Sequence, residues 1–213
     1  MAKIPDATIT RLVRYLRALE RMEEAGAVRT SSEELARATG VTAFQVRKDL
    51  AYFGSYGTRG VGYTVPVLRR ELRQILGLGR KWRLIIVGMG RLGQALADYP
   101  GLAEGYELVA GFDVDPGILG RRVGPVTVRP MEELEATVRD EHVDVALLAV
   151  PEGQAQGVAE RLVRAGVRGL LNFAPVVLSL PEEVAVENVD FMAGLSRLGF
   201  FMLNPRWREE MMG

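Results

Sequence analysis

The residues of this 213-residue chain best placed to do chemistry are three glycines and a carboxylate. Gly88, Gly90 and Gly93 stand at the spacing G-x-G-x-x-G within WRLIIVGMGRLGQALADYP, between an apolar run that reads as a buried strand and a segment that reads as a helix. In that context the first glycine permits a tight turn, the second lets the backbone reach a pyrophosphate, and the third lets helix pack on strand. The backbone around Met89, Arg91 and Leu92 completes the cradle, with helix-start N–H groups donating to the phosphates. Asp113 ends a second apolar run, YELVAGFD, 20 residues past Gly93. A carboxylate there accepts from the adenosine ribose hydroxyls and repels a 2′-phosphate, so NADH/NAD+ is expected rather than NADP(H). Asp115 is the alternative holder of the ribose, and Arg121 and Arg122 nearby work against exclusion of the phosphate.

Ligands of such folds sit at the carboxyl ends of the strands. Val150, Pro151, Asn172 and Phe173 fall on that edge, Asn172 as a partner for a carboxamide and the others as an apolar wall; ordinary strand-end packing suits them equally. Catalytic machinery is hard to find. The single histidine, His142, precedes its strand and belongs at the opposite edge. No lysine follows Lys81, and Tyr99 and Tyr106 are isolated, so the usual acid–base partners of hydride transfer are missing. Without cysteine there are no disulfides or thiolate metal ligands. The expectation is a module that binds a dinucleotide and is no enzyme, with no metal.

A second constellation lies earlier. Net charge is zero overall, but residues 1–81 carry 15 Lys/Arg against 8 Asp/Glu (+7), and residues 82–213 carry 12 against 19 (−7). A basic module joined to an acidic one suggests a polyanionic partner for the first. Within it, VTAFQVRKDLAYFG places Val46, Leu50 and Phe53 on one helical face and Gln45, Lys48 and Tyr52 on a stripe beside Arg47. Such side chains reach base edges and phosphates when the helix enters a major groove. The glycine-rich GSYGTRGVGYTV that follows reads as a hairpin, with Arg59 at its tip for a minor groove and Tyr56 and Thr58 for phosphate. Ser31, which starts the preceding helix, joins these as a DNA contact.

These pieces require particular elements. Ile9, Leu12, Val13, Leu16 and Leu19 recur at helical spacing over residues 7–24. Ser31 with Glu34 and Thr42 with Gln45 fit capping boxes for a second and a third helix, and Gly40 separates the two. Helix, short helix, turn and helix followed by a glycine hairpin is a winged helix-turn-helix, expected over residues 1–79 and closed by an amphipathic helix from Pro66 using Val67, Leu68, Leu72, Ile75 and Leu76. Strand–helix alternation over residues 80–189 predicts an α/β, Rossmann-like, doubly wound parallel sheet. Residues 190–213 are apolar nearly all round, which predicts a C-terminal helix swapped between the subunits of a homodimer that reads an inverted repeat of double-stranded DNA. With no apolar run long enough to span a membrane and no signal segment, a cytoplasmic protein is expected.

Taken together, TAFQVRKDLAYFG, GSYGTRGVGY, VGMGRLGQAL, FDVDP, LLNFAPVVL and VENVDFMAGLSRL resemble the Rex family of redox-sensing transcriptional repressors over essentially the whole chain. That resemblance implies a bacterial homodimer that binds palindromic operators of respiratory and fermentative genes and lets go when NADH rises, while NAD+ competes without causing release. It implies too that Phe191 reaches from one subunit toward the nicotinamide of the other. Beside it Asp190 becomes a switch carboxylate, with Tyr99 or Arg17 as partner. Two rival readings are an NAD-dependent dehydrogenase with a basic accessory domain and a CoA-binding regulator, since CoA domains share this sheet and glycine turn.

Overall fold

The computed structural model describes residues 4–58 and 60–204. The chain divides into two compact units at Arg80/Lys81, and residues 190–204 cluster with the second.

The first unit contains α1 (Asp6–Glu24), β1 (Arg29–Thr30), α2 (Ser32–Thr39), α3 (Ala43–Ala51), β2 (Tyr63–Thr64) and α4 (Val65–Ile75). Leu12, Tyr15, Leu16 and Leu19 of α1 pack with Leu35, Val46, Leu50 and Leu68 as one core. Ile9, expected to face inward, is exposed, while Tyr15 is fully buried. Ser31 and Glu34 form the reciprocal capping box at α2. At α3 only half of the second box exists: Thr42 accepts from the Gln45 N–H at 3.1 Å, while the Gln45 side chain turns elsewhere.

The wing departs from the expected hairpin. β2 pairs antiparallel with β1, not with the FGSYG segment, which forms no strand; within the glycine-rich stretch a single bridge joins Thr58 to Gly62. Gly62 lets the two strands meet, because a Cβ there would stand 2.3 Å from the Thr30 carbonyl oxygen. α4 begins at Val65, so its inner stripe is Val65, Leu68 and Leu72, and Val67 faces out. Arg69–Glu23 at 2.6 Å and Arg73–Glu20 at 3.3 Å fasten α4 to α1, which makes it part of this unit rather than a connector.

The second unit contains β3 (Trp82–Val87), α5 (Arg91–Ala97), β4 (Tyr106–Asp113), β5 (Arg122–Val123), β6 (Val126–Pro130), α6 (Leu134–Asp140), β7 (Val145–Leu148), α7 (Glu152–Ala165), β8 (Gly169–Asn172), β9 (Ala185–Asn188) and α8 (Phe191–Leu203). The strands lie in the order β5-β6-β4-β3-β7-β8-β9, all parallel except the edge strand β5. Apart from β5 this is the doubly wound order 3-2-1-4-5-6, whose direction reverses between β3 and β7. Val87 therefore has Phe112 on one side and Leu148 on the other. On one face, Ile85, Phe112, Leu148 and Leu162 form a core under α6 and α7; on the other, Leu84, Ile86, Met89 and Ala97 pack with α5. No residue of α8 is buried, although it carries Phe191, Met192, Leu195, Leu198, Phe200, Met202 and Leu203.

Among the described residues no helix is long and apolar enough to cross a membrane, and no group of three or more His, Asp or Glu is placed to hold a metal ion.

Candidate dinucleotide site and candidate nucleic-acid interface

The glycine turn sits at the point where strand order reverses. Gly88 has φ +93°, and a Cβ on it would lie 2.3 Å from the Ala149 carbonyl oxygen at the end of β7. A Cβ on Gly93 would lie 2.0 Å from the Gly88 carbonyl oxygen, so α5 rests directly on the turn. Gly90 differs: a Cβ there would meet nothing within 4 Å. Two glycines thus serve packing, and the middle one leaves an open backbone face at the start of α5, where the first N–H groups have no partner within the helix. The exposed Arg91 and Leu92 flank that face. Glycine types, open face and switch-point position fit a pyrophosphate.

Asp113, at the end of β4, is already held. Its Oδ2 accepts from the Met89 N–H at 2.6 Å, and its Oδ1 accepts from the Val114 and Asp115 N–H groups at 2.7 and 2.9 Å. Those three bonds tie the carboxylate to the glycine turn and leave about one of its four acceptor positions open. The Met89 side chain is buried in the core, so Met89 contributes backbone only. Asp115 is exposed and accepts from the Gly117 N–H at 2.8 Å through one oxygen.

At the neighbouring strand ends, Val150 is half-buried and Pro151, which precedes α7, is exposed. Asn172 requires a correction. It is fully buried, its Nδ2 donates to Ala174 O (3.1 Å), Val176 O (2.9 Å) and Asn188 Oδ1 (2.9 Å), and its Oδ1 accepts from Ala174 N. The amide is spent on fastening the loop after β8 to the end of β9 and does not await a carboxamide. Phe173 is half-buried, and its ring centroid lies 6.4 Å from that of Phe191 in the same chain. Asp190 caps α8 by accepting from the Ala193 N–H at 2.9 Å. Tyr99 lies exposed just after α5, and His142, with φ +48°, lies in the turn before β7, at the far end of that strand from the glycine turn.

In the first unit α3 carries the charged stripe. Lys48 is exposed and Tyr52 half-buried, and no side-chain hydrogen bond of either is found among the described residues. Other expected contacts already have protein partners. Ser31 Oγ accepts from the Glu34 N–H at 3.1 Å, Gln45 Nε2 donates to Asp49 Oδ1 at 2.7 Å, and Arg47 donates to Ser32 Oγ at 2.7 Å and pairs with Glu33 at 3.3 Å. The Tyr56 hydroxyl donates to the Phe53 carbonyl at 2.7 Å, so its proton is not free for phosphate. Thr58 is exposed, Arg17 lies on the exposed side of α1, and Arg59 lies outside the described residues. Sequence reasoning missed Phe44, an exposed aromatic in the first turn of α3, and Asp49, buried one turn past Gln45. Burial alone would push the Asp49 carboxyl up, but bonds from Arg11, Tyr15 and Gln45 outweigh it and hold the group below the usual carboxylate range. The bond from Asp49 raises Arg11 in turn, and burial followed by that same carboxylate raises the Tyr15 hydroxyl.

Residues 3–51 match the family described as "Putative DNA-binding protein N-terminus", and residues 79–176 match "CoA binding domain". The redox-sensing transcriptional repressor Rex of Thermus thermophilus is 63% identical over 99% of this chain and 100% of its own length. That of Deinococcus radiodurans is 52% identical over 97% and 96%. The chain belongs to the Rex family of redox-sensing transcriptional repressors. Among solved structures, that of the Rex-family repressor RSP in complex with beta-NAD+ and operator DNA superposes with a TM-score of 0.90 at 37% identity, covering 100% of this chain and 98% of that one. RSP in complex with beta-NADH gives 0.87 at 36% identity over the full length of both. The Rex relatives are named as transcriptional repressors, not as enzymes.

Proposed function

We propose that this Rex-family chain works in the cytoplasm as a homodimer that represses transcription by binding inverted-repeat operator DNA, and that it lets go when NADH rises relative to NAD+. The observation that carries the reading is the pairing, in one chain, of a winged helix with a glycine turn at a sheet's switch point whose middle glycine stands open.

In the second unit the N–H groups of Gly90, Arg91 and Leu92 receive the pyrophosphate, and Asp113, fixed by Met89, faces the adenosine ribose, with Asp115 beside it. When bound, NAD(H) supplies a nicotinamide that is cationic if oxidised and neutral if reduced. Val150, Pro151 and Phe173 form the apolar side of that position, completed in the exchanged dimer by Phe191 of the partner subunit, and loss of hydration against this apolar wall disfavours the cation. Asn172 acts indirectly, by holding the loop that carries Phe173 and Ala174. In the first unit Lys48, Tyr52, Thr58 and Arg59 reach the duplex, and Gln45 and Arg47 do so from positions fastened by Asp49 and Ser32; Ser31 and Tyr56 contribute through backbone and shape. The bare apolar surface of α8 is covered by exchange with a second copy, in which Phe191 approaches the partner's nicotinamide, and Asp190 meets Arg17 or Tyr99 in one of the two states.

If NADH binds the DNA-incompetent dimer more tightly, operator DNA must weaken NADH binding by the same factor. A cofactor with equal affinity for both states would shift nothing. The test is a gel-shift titration of an inverted-repeat duplex with NADH, NAD+ and CoA. Release by NADH, competition by NAD+ and indifference to CoA are expected. Saturation with NADH that leaves the bound duplex in place would overturn the reading.

A further inference from the structure

The first unit buries a carboxylate that lies outside the dinucleotide site and beneath the charged stripe, one turn past Gln45. Asp49 has no exposed surface, and hydrogen bonds converge on it from two helices. From α1 come Thr8 Oγ1 at 3.2 Å, Arg11 Nε at 2.6 Å and Nη2 at 2.8 Å, and the Tyr15 hydroxyl at 2.8 Å. From α3 itself comes Gln45 Nε2 at 2.7 Å. An ionised carboxylate only accepts, so the Gln45 amide can turn only its nitrogen toward Asp49. The amide orientation is therefore settled by charge, and Oε1 has no hydrogen-bond partner among the described residues. Gln45 gives up rotamer freedom before any duplex arrives, which is preorganisation.

We propose that Asp49 is a positioning residue for operator reading: it docks α3 on α1 and locks Gln45 so that Oε1 is offered to a base edge as an acceptor. The proposal rests on the reading of α3 as the recognition helix. In the major groove, acceptors find partners at the amino groups of cytosine and adenine, whereas guanine O6 and N7 and thymine O4 are themselves acceptors. Held with Oε1 toward the groove, Gln45 favours an amino-bearing base at one position and disfavours guanine and thymine there. Asp49 never touches DNA in this scheme and acts through Gln45 and the seating of α3.

The test uses the full-length protein and a panel of inverted-repeat duplexes with each base pair of a half-site changed in turn, together with salt slopes and thermal melts. Gln45→Met should erase about tenfold discrimination at one base pair, the scale of a base-edge contact. Asp49→Asn should erase it at the same base pair with the salt slope unchanged, and the double variant should do no worse there than Gln45→Met. Tyr15→Phe removes a donor from Oδ2, not from the oxygen that Gln45 uses, and should lower the melting temperature while keeping the discrimination. If Asp49→Asn does not fold, the side-chain amide resonance of Gln45 in the wild type, identified by its loss in Gln45→Met, should exchange slowly and show contacts to α1; a freely averaged amide overturns the lock. Discrimination lost in Gln45→Met but kept in Asp49→Asn overturns the proposal and spares the recognition helix. No response to Gln45→Met at any base pair, with binding still weakened by Lys48→Ala, also overturns it. Indifference to both Gln45→Met and Lys48→Ala removes the recognition-helix reading itself.

Discussion

Gly90→Ala separates binding from folding at the glycine turn. The added methyl would meet no atom within 4 Å, and Gly90 has φ −66°, a value alanine adopts without strain. Fold stability should therefore fall by only about 0.5–1 kcal/mol, the cost of alanine in place of glycine at the N-cap of α5. Yet the methyl stands on the open face at the start of α5, where the pyrophosphate must come close to backbone N–H groups. Pushing it away forfeits one or two hydrogen bonds to a charged group, about 1.5–3 kcal/mol each, so NADH affinity should fall at least tenfold. Gly93→Ala makes the opposite case. Its Cβ would sit 2.0 Å from the Gly88 carbonyl oxygen, where ordinary contact begins near 3.4 Å. α5 must then withdraw by more than an ångström, costing about 1–3 kcal/mol of stability in addition to NADH binding. Fluorescence titration with NADH, thermal melts and operator gel shifts on both variants make the comparison. Gly90→Ala should hold its operator normally and release it only at raised NADH, with its melting temperature lowered only slightly, whereas Gly93→Ala should melt clearly earlier. Wild-type NADH affinity in Gly90→Ala would refute the assignment of this turn as the phosphate cradle.

Three further outcomes follow from the same geometry. Lys48→Ala should weaken binding to specific and random duplexes alike and reduce the salt slope by about one, as for loss of a single phosphate contact; an unchanged slope in a gel-shift series would remove Lys48 from the interface. Because the folded-state pKa of Asp49 is depressed, its stabilisation is complete above the unfolded carboxylate value near 3.9 and disappears as pH falls through the lower folded value. Thermal melts from pH 6 downward should show the first unit losing stability in that acid window, with Asp49→Asn starting lower and varying less with pH. Finally, Leu198→Asp on the bare surface of α8 should shift the protein from dimer toward monomer in light scattering and weaken operator binding while leaving the melting of the first unit in place; a dimer of unchanged strength would exclude α8 from the interface.

Much of this protein is written locally. The G-x-G-x-x-G turn, the Ser31–Glu34 box, the alternation of strands and helices and the apolar C-terminal helix all depend on residues within a few positions of one another, so spacing alone announces them. The short edge elements were not legible. β9 is four half-polar residues that become a strand only by pairing with β8, and β1 becomes the partner of β2 only because Gly62 lets two backbones 32 positions apart meet at Thr30. Which polar side chains remain available for ligands was also beyond the sequence. Gln45 and Asn172 look like free amides on paper, yet one is held by Asp49, which is itself tied to Arg11 38 positions away, and the other by Asn188 and its own loop. The physical reason is that buried polar groups must find partners, and those partners are chosen by whatever the fold brings within 3 Å. Periodicity determines which residues can form an element; only the packed chain decides which donors and acceptors are left for DNA and dinucleotide.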